Sequence, residues 1–221
     1  MKNLYKNPIL FALVRIVGYA LVVLLVSQVL LWDSRTEGIW GKFGEDSVTE
    51  WLQEIFLLMT VLVFAALGYR AAGIRGFAGM MSGIALMGLI REYNNYLHTW
   101  FRGAWQLLAL GVLVVTIGYV YKNRKTLYQT FNQYLQQPAF GITLSGFLVV
   151  MVFSRFFGSK PLWENLLGVA DLVNEHRWVK NAAEEGSELL GYCLLFIGAL
   201  EYSFFVYKNG YTGSHHEVEA E

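Results

Sequence analysis

The sequence predicts an all-α integral membrane protein, a bundle of about six transmembrane helices with one or two short interfacial helices. Three observations carry that prediction. Apolar runs of about twenty residues recur along the chain, matching the roughly 30 Å hydrocarbon thickness of a bilayer. Basic residues collect in alternate loops, as cytoplasmic loops do. All 7 tryptophans fall in or beside the remaining loops.

Composition agrees. Of 221 residues, 55% are hydrophobic and 15% charged, with a mean hydropathy of +0.40; a soluble domain carries about a quarter charged residues. The formal net charge is zero, which suggests neither nucleic acid nor an acidic surface as a partner. A lone cysteine, Cys193, excludes a disulfide within the chain and is expected to be inert in the bilayer.

The expected spans are roughly 9–32, 50–69, 74–92, 103–121, 139–157 and 186–207, forming a single transmembrane domain over 1–221. Lys2 and Lys6 precede the first span. Its apolar run continues to Trp32 with no small-x-small cleavage site, so it reads as an uncleaved signal-anchor. The third span carries Gly73, Gly76, Gly79, Gly83 and Gly88; small residues let backbones approach, which places this helix centrally. Gly191 and Gly198 suggest a smaller stripe of the same kind on the sixth.

Two loops have helical periodicity. Within 122–138, Leu127, Phe131 and Leu135 predict a short helix on the membrane surface. Within 161–185, Leu162, Leu166, Val169 and Val173 form an apolar stripe, with Glu164, Asp171, Glu175 and Arg177 elsewhere on the wheel, predicting a second surface helix or a cap on the bundle. The tail 213–221 is polar and acidic, expected to be disordered, with His215 and His216 as weak metal donors at most.

Loop charge sets the orientation. The N-terminal segment, the Arg70/Arg75 turn and the loop with Lys122, Arg124 and Lys125 are basic without acids, and Lys208 follows the last span. The first alternate loop is acidic on balance: Asp33, Glu37, Glu45 and Asp46 against Arg35 and Lys42. Basic loops belong inside, so the expected location is a bacterial inner membrane with both termini cytoplasmic. Trp32, Trp40, Trp51, Trp100, Trp105, Trp163 and Trp178 then all lie at or beyond the outer interface.

Ionisable residues within spans are functional candidates because burying charge in lipid is unfavourable. The second span opens with Glu50, Gln53 and Glu54 on one helix face; the third closes with Arg91 and Glu92, then Asn94, Asn95 and His98. The fifth closes with Arg155, and the sixth is preceded by Glu184 and Glu185 and carries Glu188, with Tyr192 one turn deeper. In this topology these ends share one depth, near the outer leaflet. Three readings follow. Arg91 and Arg155 could neutralise glutamates in an ion-pair network, making the protein structural or partner-binding, with the bilayer and a periplasmic-side protein or lipid as partners. A divalent metal such as zinc, iron or manganese could be held by Glu50, Glu92, Glu185 and Glu188 with His98 or His176, giving a membrane hydrolase of lipid-like or periplasmic substrates. The glutamates could instead carry protons or cations in a transporter. Deeper in the membrane, Arg15 and Glu201 are expected to form an ion pair.

Arg91-Glu92-Tyr93 and the segment Glu184-Glu185-Gly186-Ser187-Glu188-Leu189-Leu190-Gly191-Tyr192 resemble motifs of small polytopic bacterial inner-membrane proteins of uncharacterised activity. Those proteins also open an early span with an acidic residue, as Glu50 does here. The resemblance implies a multi-pass inner-membrane protein and no particular reaction. Membrane hydrolases of the alkaline ceramidase type use histidines within their spans; His98 and His176 lie outside the spans expected here.

Overall fold

A computed structural model describes residues 8–36, 42–44 and 46–209. Lys2, Lys6, Glu37, Trp40, Glu45 and the tail 213–221 with His215 and His216 lie outside them. The described residues form an α-helical membrane protein, as expected. Six helices among them are long and apolar enough to cross a bilayer: Ile9–Arg35, Val48–Arg70, Ala72–Glu92, Ala104–Lys122, Pro138–Phe157 and Glu175–Lys208.

In chain order the α-helices are α1 (Pro8–Arg35), α2 (Val48–Arg70), α3 (Arg75–Glu92), α4 (Asn94–His98), α5 (Ala104–Lys122), α6 (Leu127–Leu135), α7 (Pro138–Leu148), α8 (Ser154–Phe157), α9 (Lys160–Leu167) and α10 (Asn174–Lys208). A π-helical turn, Val149–Phe153, joins α7 to α8. The chain forms two compact units, one of 1–53 with 146–193 and the other of 54–145 with 194–221. Their boundaries fall inside α2, α7 and α10.

In the first unit, α1 exposes apolar residues all round, Ile9 at 72% and Leu25 at 68%. Water would penalise such a surface, whereas lipid tails are as apolar as the side chains themselves. Close packing occurs where glycine allows it. A Cβ on Gly191 would meet Val150 and the Gly146 carbonyl, and one on Gly186 would meet Leu30 of α1, so α10 lies hard against the fifth span and α1 in this unit.

The loop expected to hold one surface helix holds a shorter one. Pro161 sits in the first turn of α9, where its missing N–H is not needed. Gly168 then takes a left-handed conformation at φ 67°, and the Val169 N–H caps the Glu164 carbonyl at 3.1 Å. This is a glycine stop. Leu162 and Leu166 are therefore on α9, but Val169 and Val173 are not. Helix resumes at Asn174 and runs unbroken through the sixth span, which begins well before the expected 186.

In the second unit, α3 packs along α5. Gly79 faces the Tyr119 ring and Gly83 faces Thr116, with no room for a Cβ at either. The glycines of α3 thus serve close packing against α5. The surface helix expected near 127–135 is α6, whose Thr130 and Tyr134 are buried against it: Thr130 Oγ1 donates to the Gly73 carbonyl at 3.3 Å. Tyr134, Phe77 and Tyr202 form an aromatic core with ring centroids 4.8 to 5.3 Å apart, in tilted and edge-on geometries that the ring quadrupoles favour. On α10, Gly198 abuts Thr143 and the Ala139 carbonyl.

Candidate functional site

The first unit gathers a buried polar network at the start of α2, the end of the fifth span and the N-terminal half of α10. It begins with Asp33, near the end of α1 and 3% exposed. Its carboxylate accepts hydrogen bonds from the Val48 N–H at 3.3 Å, the Thr49 N–H at 2.7 Å and the Thr49 hydroxyl at 2.6 Å. The first turn of a helix has N–H groups without internal partners and a partial positive charge. Asp33 supplies both an acceptor and the complementary charge.

One turn further along α2, Gln53 is 1% exposed. Its amide nitrogen donates to the Glu185 carbonyl at 3.0 Å and the Glu185 carboxylate at 3.1 Å. Glu185 thus takes its hydrogen bond from a neutral group. Glu188, Glu50 and Glu184 are carboxylates within electrostatic reach of it.

The opposite side of the network is ionic. Glu188, 4% exposed, accepts from Arg155 Nη2 at 3.0 Å and contacts the Ser154 hydroxyl at 3.0 Å. Ser154 also hydrogen-bonds the Val150 carbonyl one turn back. Arg155 Nη1 lies 3.9 Å from Glu184, whose other oxygen is 2.5 Å from Lys180 Nζ. A Cβ at Gly158 would overlap the Glu184 carboxylate, so that glycine leaves space for it. The π-turn just before Ser154 and Arg155 sets how these two face α10; such turns are frequent where a helix must re-aim its side chains.

Glu50, Gln53, Arg155, Glu184, Glu185 and Glu188 all belong to this unit. His176 does too, half-buried near the start of α10, with no hydrogen-bond partner at Nδ1. Glu54, Arg91, Glu92 and His98 belong to the second unit. There Arg91 Nη2 pairs with the adjacent Glu92 at 3.1 Å, and Tyr93 donates its hydroxyl proton to Glu54 at 2.7 Å. That bond, followed by burial and the Glu54 charge, pushes the Tyr93 phenol up to about 12. His98 is exposed on α4. Arg15 lies on α1 in the first unit, and Glu201, 6% exposed, on α10 in the second. Among the described residues no group of three or more His, Cys, Asp or Glu side chains is placed to hold a metal ion.

Sequence reasoning passed over Asp33 as a lock and Ser154 and Lys180 altogether, and met Tyr93 only within a motif, not as the donor to Glu54. Two signals were present. Ser47-x-x-Glu50 before an apolar run is a capping pattern, realised as Glu50 N–H to Ser47 Oγ at 3.3 Å. Lys180 precedes Glu184 by four residues, the spacing of a helical ion pair.

Compared with known proteins, the chain matches no protein family, no curated protein and no solved structure.

Proposed function

We propose that this is a multi-pass protein of a bacterial inner membrane, with both termini cytoplasmic, whose outward polar network is structural and supports a partner-binding face. The observation that carries the reading is the pairing around Glu188 and Glu184. Arg155, Ser154 and Lys180 meet these carboxylates directly. Buried charges that are paired and hydrogen-bonded fix helix register, whereas removing one partner strands the other. Leu166 and Val173, 69% and 60% exposed outside the lipid-facing runs, favour a periplasmic-side partner over bare solvent. The motif resemblance is in keeping with this assignment.

A second reading, proton or cation coupling, is favoured by Glu185, whose hydrogen-bond donor is the neutral Gln53 amide. Proteoliposome flux separates the two. The structural reading expects no cation-dependent pH change with the wild-type chain, and a lower thermal midpoint for Arg155→Gln. A cation-dependent pH change that disappears in a folded Glu185→Gln variant would establish the transporter instead. Reporter fusions after Lys125 and between Trp163 and Trp178 test the orientation: the first should be cytoplasmic and the second periplasmic.

A further inference from the structure

The second unit contains an apolar groove of about 610 Å³ between α2, α3 and α5. Its lining runs along α5 from Leu107 to Tyr119, about 18 Å at 1.5 Å per residue, close to the depth of one ~15 Å leaflet. The groove stays open because Gly111 faces it with nothing within 4 Å of a built Cβ. Gly68 lines it at the same end as Tyr119.

Five of the unit's cations stand at that end, whereas Arg91 and Arg102 stand at the other. Arg75 donates through Nε to the carbonyl of Gly68 at 3.3 Å, which sets its guanidinium at the mouth of the groove. Arg70 follows Gly68 by two residues on α2, and Lys122 follows Tyr119 by one turn on α5. Arg124 lies with its guanidinium 4.1 Å from the Tyr121 ring, and Lys125 is next to it. All five are exposed, and none forms an ion pair with a carboxylate among the described residues. An apolar channel one leaflet deep and a cationic mouth together complement one amphiphile.

We infer that the α2–α3–α5 groove binds one anionic phospholipid, with an acyl chain along Gly111 and the phosphate at Arg75, Arg70 and Lys122. The inference rests on the membrane reading above and adds a ligand that reading does not name. Each cation near an anionic headgroup contributes about fivefold in affinity, so the site selects charge at its mouth and chain shape along its length.

Native mass spectrometry of the detergent-purified full chain tests this, with phosphatidylglycerol and phosphatidylcholine of identical chains titrated separately. The wild type should bind phosphatidylglycerol at least about tenfold more tightly. Gly111→Leu fills the groove where a side chain meets no neighbour, so it should fold normally and lose both lipids. Arg75→Gln should bring phosphatidylglycerol about fivefold closer to phosphatidylcholine, while Lys160→Gln, a cation of the first unit, should leave the ratio unchanged. Equal wild-type affinities, or full phosphatidylglycerol binding by Gly111→Leu, would overturn the inference. So would equal competition by inorganic phosphate, which would mean an anion site without a lipid. Alkaline carbonate extraction run in parallel separates the premises: release of the chain defeats the membrane reading, whereas retention without lipid selectivity defeats only the lipid site.

Discussion

Asp33 and Thr49 are joined twice, the Asp33 carboxylate accepting from both the backbone N–H and the hydroxyl of Thr49 at 2.7 and 2.6 Å. The residues lie on either side of the first loop, so this contact fixes where α2 begins relative to the end of α1 within the first unit. Asp33→Ala leaves the N–H groups of Val48 and Thr49 and a buried hydroxyl without their acceptor. A loss of about 1–3 kcal/mol is expected, measured by reversible unfolding in mixed micelles. Thr49→Val removes one of the bonds and should lose less. An unchanged Asp33→Ala protein would show that solvent replaces the carboxylate at no penalty.

The Arg155–Glu188 pair is expected to be energetically coupled. Arg155 is half exposed and Glu188 nearly buried, so Arg155→Gln should destabilise by about 1–3 kcal/mol, chiefly by leaving the carboxylate desolvated. In a double-mutant cycle with Glu188→Gln, the second change should recover part of that loss. A coupling energy of about 0.5 kcal/mol or more identifies a direct interaction; strict additivity would contradict the geometry.

Tyr93 gives a pH signature. Its phenol is raised from 10.0 to about 12 by the Glu54 hydrogen bond, burial and the Glu54 charge. A group with a raised folded-state value contributes its full stability below the unfolded value and loses it as pH rises through the folded one. The contribution is therefore complete below about pH 10 and fades between 10 and 12. The phenolate difference spectrum between wild type and Tyr93→Phe should show a tyrosine titrating near pH 12. In Glu54→Gln the same difference should move toward the ordinary range.

Gly191 and Gly141 should respond oppositely to the same substitution. A Cβ at Gly191 meets Val150 and the Gly146 carbonyl, which includes backbone that cannot rotate away, while Gly141 has nothing within 4 Å. Gly191→Ala is expected to lose about 1–3 kcal/mol through overpacking. Gly141→Ala should be neutral or gain up to about 1 kcal/mol from reduced backbone freedom. Similar thermal midpoints for the two variants would refute the close approach.

The spans were legible because an apolar run of bilayer length has few alternative uses, and α6 was legible because Leu127, Phe131 and Leu135 repeat at helical spacing. The segment 161–185 misled for the same reason: Leu162, Leu166, Val169 and Val173 keep a helical period across a break between two helices. Gly168 was the signal that ends α9, and its left-handed conformation overrides the stripe. The residue types of the polar cluster were visible, but not their grouping. Gln53, Arg155 and Glu188 belong to one unit with Ser154 and Lys180, while Glu54 and Glu92 belong to the other. Pairings such as Asp33 with Thr49 depend on the course of a loop, and nothing periodic in the sequence encodes it.

The π-turn at Val149–Phe153 has a genetic counterpart. A turn of this kind holds an extra residue, so it is equivalent to a one-residue insertion carried inside an otherwise regular span. Deleting Met151 would keep the span apolar and let the helix become regular. The wide turn winds each residue through a smaller angle and so already absorbs the extra one; after the deletion the regular helix would keep Gly146 facing Gly191 and Ser154 and Arg155 facing Glu188. Reading frame along this helix is thus a structural variable with one buffered position: the charged network should survive loss of Met151, whereas a residue added to a regular turn, with no wide turn to absorb it, should rotate Ser154 and Arg155 by about 100° and dismantle the network.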